Sequence, residues 1–135
     1  MLQISAEQIS MMEKIALVTK IDEALGRQYA DFAALPDQER VTFVVDSMTS
    51  AAQYKLRSEQ GVASYALAAY WLGIGFEQQS RHLQALLNST FPEVRKVYAM
   101  NEWVHTLLGA PDDIERADKE LKQAFYRTAA WGRSE

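Results

Sequence analysis

Two residues of this chain have the spacing of a metal-ligand pair. Glu102 and His105 form an Glu-x-x-His step, which puts a carboxylate and an imidazole on one face of a helix. Di-iron bundles use two such pairs and two further Glu from other helices. The other histidine, His82, stands in Ser80-Arg81-His82-Leu83 with no Glu three residues before it. The pair therefore reads as a surface or capping pair, and a small metal-dependent enzyme or sensor built on Glu102 and His105 is the catalytic alternative. With no Cys in the chain, thiolate ligands and Cys nucleophiles are excluded. No Ser stands in a strand-to-helix elbow of the kind that exposes a nucleophile. The carboxylates of 112–120 are interleaved with Arg116 and Lys119, the pattern of a solvated helix face. No phosphate loop is present. The expectation is no catalytic residue, no metal and no cofactor.

The aromatic residues suggest binding instead. Tyr65, Tyr70, Trp71 and Phe76 cluster near the end of one apolar segment, and Tyr98 and Trp103 lie on another. Core packing accounts for at least half of them. Trp, Tyr and Arg are also the residue types that anchor protein interfaces, and Arg57, Arg81, Arg95 and Arg127 are placed to rim an aromatic patch. Met1, Met11, Met12, Met48 and Met100 add adaptable apolar surface. Tyr70, Trp71, Phe76, Arg81 and Trp103 are the expected partner-binding residues.

These side chains must be positioned by helices. From Val62 to Leu72 the chain carries no charge, after a start signal at Ser58 and before a stop at Gly73 and Gly75. A helix apolar on every side must be surrounded, so 58–72 is expected at the centre. Around it, Ser5 with Gln8 offers a capping box for a helix over 6–33, with a kink or close contact at Gly26. Leu35-Pro36-Asp37 breaks it and starts a second helix, 37–54. The β-branched run 41–45 is compatible with a strand, but Val41, Val44, Val45 and Met48 keep the 3.6-residue period. A helix over 76–88 is expected to turn Leu83, Leu86 and Leu87 inward. Thr90 and Glu93 suggest a capping box for a helix reaching Leu108, with Val94, Val97, Trp103 and Leu107 among its apolar positions. Asp112 and Asp113 open a last, amphipathic helix with Ile114, Ala117, Leu121, Ala124, Phe125 and Thr128 in one stripe. Short connections imply antiparallel neighbours. The expected fold is all-α: one domain over 1–135, a compact bundle of about six helices around the central apolar helix 58–72.

Composition excludes some partners. A net charge of −4 argues against nucleic acid, whose binding rests on clustered Lys and Arg. The uncharged apolar run 61–76 is shorter than the roughly 18–20 residues of a membrane span. The first residues lack a basic region followed by an apolar one, and a cytoplasmic bacterial protein is the simplest expectation.

Leu56-Arg57-Ser58-Glu59-Gln60-Gly61-Val62-Ala63-Ser64-Tyr65, followed by Leu72-Gly73-Ile74-Gly75-Phe76-Glu77, resembles a group of small helical bacterial proteins. These are encoded beside type VI secretion spike, effector and effector-chaperone genes. The N-terminal Leu2-Gln3-Ile4-Ser5-Ala6-Glu7-Gln8 is similar to their opening motif, so the likeness covers roughly the first 80 residues. It implies a non-catalytic accessory, a co-chaperone or adaptor that holds a secreted effector or its chaperone. An immunity protein blocking a toxin, with the acidic 112–120 surface against a basic nuclease, is the alternative within the binding class. The last helix either docks on its own bundle or makes a homodimer.

Overall fold

A computed structural model describes residues 6–131, and every regular element among them is helical. In chain order these are α1 (Ala6–Gln28), α2 (Ala30–Ala33), α3 (Asp37–Ala52) and α4 (Glu59–Leu72). A single 3-10 turn (Phe76–Gln79) follows, then α5 (Arg81–Leu87), α6 (Glu93–Gly109) and α7 (Ile114–Trp131). The fold is an all-α bundle. α4 is its hub, packed against α1, α3 and α6, while α7 lies on α6 and α5. The 41–45 run is helical, inside α3. The Ser5 cap, and the side chains of Met1, Ile9, Ala124, Phe125, Arg127 and Thr128, lie outside the described residues.

α4 begins and ends where its residue types demand. Ser58 is extended, and its hydroxyl accepts the Gly61 amide at 2.9 Å, which satisfies one of the orphan donors of a helix start. The chain leaves the helix at Gly73, with φ +92, a region that favours glycine.

A second group completes that start. Glu93 was expected to close a box with Thr90 on its own helix; instead it reaches across to α4. Its carboxylate accepts the Arg57 amide at 2.6 Å, the Ser58 amide at 3.1 Å and the Ser58 hydroxyl. Gly61 leaves the room, since a Cβ there would stand 2.8 Å from Oε2 of Glu93. The N-termini of α4 and α6 thus lie side by side, and one carboxylate serves the positive ends of both. Partial burial pushes the Glu93 carboxyl up, but the Ser58 hydroxyl, the Arg57 and Ser58 amides and nearby Lys96 outweigh it, and the net shift is downward. A lowered folded value means stability present above the unfolded carboxyl's value, about 4.3, and lost as pH falls through the folded one. Glu93→Gln is expected to cost about 1–2 kcal/mol at pH 7 and to show a smaller further loss on acidification than the wild type. Urea midpoints measured at pH 7 and pH 3 check both.

Two expected helices are broken. The 6–33 segment divides at Tyr29, which is extended (φ −130, ψ 111) and lets α2 turn so that Phe32 enters the core. The break is at Tyr29, not Gly26; the close contact expected at Gly26 is with Ala33, whose Cβ would stand 3.7 Å from a Cβ placed at Gly26. The 76–88 segment divides at Ser80, also extended (φ −134), whose hydroxyl accepts the Leu83 amide and caps α5. Burial departs from the apolar pattern at three places. α4 is not enclosed on every side: Gln60 and Trp71 are exposed, and Ala63, Ser64 and Leu67 are half-buried along one open stripe. Val94, one of the apolar positions of α6, is 71% exposed. Met12 and Ile15, which keep the helical period of the core residues, form an exposed patch with Met11 on the first half of α1.

Candidate functional site

The interior consumes its own polar chemistry. Glu77 is 2% exposed and accepts hydrogen bonds from the Tyr54 and Tyr65 hydroxyls, each at 2.7 Å. Burial first, and then the Glu77 carboxylate, push both phenols well above their ordinary value. Buried Lys96 donates to the Tyr54 carbonyl at 3.0 Å, and burial, then the like charge of Lys55, holds its ammonium below the usual lysine value. Asp118 accepts Nε1 of Trp103 at 2.9 Å and the Ser80 hydroxyl at 2.7 Å, so one carboxylate joins α6, α7 and the start of α5. Among the described residues no buried side-chain nitrogen or oxygen lacks a partner. These networks fix helices, and a surface feature is the better candidate for function.

That feature is the end of the bundle where α4 stops. Tyr29, Phe32, Phe43 and Tyr70 form a cluster of ring contacts, with Phe43 edge-on to both Phe32 (5.9 Å) and Tyr70 (6.1 Å). Trp71 lies edge-on to Tyr29 at 5.8 Å and is 45% exposed. Ile74, on the Gly73–Gly75 turn, is also exposed. Beside it, between the turn and α3, runs a groove of about 520 Å³ lined by Pro36, Gln38, Glu39, Thr42, Phe43, Asp46 and Ile74. Positive φ at Gly73 and Gly75 (+92 and +89) shapes the turn that carries Ile74. An aromatic surface on packed rings, next to a groove of mixed apolar and acidic lining, is suited to burying a partner's side chains.

The residues expected at a partner interface divide. Trp71 is exposed and Tyr70 half-buried at this end. Arg81 is exposed at the first turn of α5 and does not line the groove. Phe76 and Trp103 are not surface residues: both are buried, their rings stacked at 6.2 Å, with Tyr65 on the other side of Phe76 at 5.0 Å. The sequence reading missed Glu39, Phe43, Asp46 and Ile74. The usable signal was the 39, 43, 46 spacing, which places all three on one side of a helix.

His105 is exposed and Glu102 half-buried. Among the described residues no three His, Asp or Glu side chains are grouped to hold a metal ion, and no helix is long and apolar enough to cross a membrane. Compared with family models, with curated proteins and with solved structures, the chain matches none.

Proposed function

We propose that this chain is a non-catalytic docking protein that buries a partner protein's apolar side chains at the α4 end of the bundle. The observation that carries this reading is Trp71, a large indole held edge-on against Tyr29 yet 45% exposed. Keeping such a ring in water is unfavourable by roughly 25 cal/mol per Å² of apolar surface, and binding recovers that cost. Exposed Ile74, with Pro36 and Phe43 in the α3 groove, extends the apolar surface beyond the indole.

The type VI setting, with a secreted effector or its chaperone as the partner, is supported by the resemblance of residues 2–80. Co-purification with the products of the neighbouring genes tests both levels. The wild type is expected to retain one of them. A Trp71→Ala, Ile74→Asp double variant is expected to lose it while its far-UV circular dichroism still reports a folded helical chain, since neither side chain belongs to the buried core. A double variant that keeps the partner overturns the docking site. A wild type that holds none of those products overturns the secretion setting.

A further inference from the structure

The groove beside Ile74 has a charge pattern as well as a shape. Glu39 and Asp46 both line it, seven residues apart on α3. At 1.5 Å per residue they are separated by roughly 10 Å along the axis, and two turns bring them back to nearly the same face. Thr42 and Phe43 stand between them, three and four residues after Glu39. Phe43 is fixed by its edge contacts to Phe32 and Tyr70, so the apolar floor is preformed.

Neither carboxylate has an ion pair or a hydrogen bond among the described residues. The adjacent cation is committed elsewhere. Arg40 bonds Asp22 at 3.0 Å and Asp37 at 2.6 Å, and donates to the Leu35 carbonyl at 2.6 Å. The groove therefore presents carboxylate, apolar floor and carboxylate, on a protein whose net charge is already −4.

We infer that the groove receives an α-helix of a partner protein bearing Lys or Arg at two positions seven residues apart. A large apolar residue three or four positions after the first would enter between Phe43 and Ile74. Two helical turns on the partner match two turns on α3, so both ion pairs and the apolar insertion form in one register. Charge complementarity of this kind selects the partner and speeds encounter more than it adds affinity. A second copy of this chain fits poorly: its exposed Lys20 and Arg27 have the spacing, but Glu23 and Ala24 stand between them.

This inference rests on the docking reading, and one experiment separates the two. A phage library of 14-residue helix-forming peptides is panned on the full chain at low salt. Enrichment of Lys or Arg at i and i+7, with Leu, Ile, Met or Phe at i+3 or i+4, is the expected result. A synthetic peptide of the enriched sequence should bind at least tenfold more weakly to a Glu39→Lys, Asp46→Lys variant, and panning on that variant should enrich Asp or Glu instead. Ile74→Asp should abolish binding to the wild-type-selected peptide. Enrichment of acidic or uncharged peptides, basic residues at another spacing, or indifference to the charge reversal overturns the inference. If those peptides still depend on Ile74, docking at the groove survives. Peptides indifferent to Ile74→Asp, or no enrichment at all, overturn both.

Discussion

Replacing Trp103 with alanine is expected to cost roughly 3–5 kcal/mol, the range for removing a large buried aromatic side chain. The indole is 0% exposed, stacks on Phe76 and donates Nε1–H to Asp118 at 2.9 Å. Alanine leaves a void between α6 and the 3-10 turn and takes one of two donors from a half-buried carboxylate. Trp103→Phe keeps most of the stacking and loses only the donor, so about 1–2 kcal/mol is expected. Urea unfolding followed by far-UV circular dichroism reads both. A cost below about 1 kcal/mol for the alanine variant would return Trp103 to the surface role that its residue type first suggested.

The second large effect is at Glu77. Glu77→Leu removes the acceptor of two buried hydroxyls at once. Hydrogen bonds to a charged group contribute about 1.5–3 kcal/mol each, so a loss of roughly 3–6 kcal/mol is expected. Tyr54→Phe and Tyr65→Phe should each cost about 1.5–3 kcal/mol, and the double variant should depart from their sum because they share one carboxylate. The site also sets alkaline stability. Burial, reinforced by Glu77, raises both phenols in the folded chain. The unfolded chain therefore releases these protons first, near pH 10, and the contribution intact below that pH is lost as pH rises. Urea midpoints from pH 8 to 11 should fall more steeply for the wild type than for the Tyr54→Phe, Tyr65→Phe variant.

Local signals in the sequence located most helix boundaries. Ser58 and Gly73 bound α4 because a hydroxyl cap and a left-handed stop act within a few residues. Asp113 marks a start for the same reason, its side chain accepting the Arg116 amide at 3.0 Å, whereas Asp37 acts as an acid in the first turn of α3, with Pro36 before it. What the sequence hid depends on distant partners. Tyr29 breaks a good helical pattern because its ring belongs with Tyr70 and Trp71, some forty residues on. Glu93 looks like half of a local box and caps a helix that starts 35 residues earlier. Glu77 looks like a surface acid until Tyr54 and Tyr65 are brought over it. Phe76 and Trp103 have the residue types of an interface, and only packing shows them to be core. The groove was partly legible: the spacing of Glu39, Phe43 and Asp46 is written in α3, but the opposing wall, Ile74, is supplied by the turn after α4.

The shared carboxylate at Glu93 also bears on how the chain reaches this shape. Because α4 and α6 start at the same end, the polypeptide must travel back across the molecule between them, and the 3-10 turn with α5 makes that return. A hairpin of adjacent helices zips from its connecting loop; this parallel pair has no such shortcut. Its meeting closes a 35-residue loop, an entropic cost met before any contact rewards it. That cost predicts that the two halves join after the individual helices have formed.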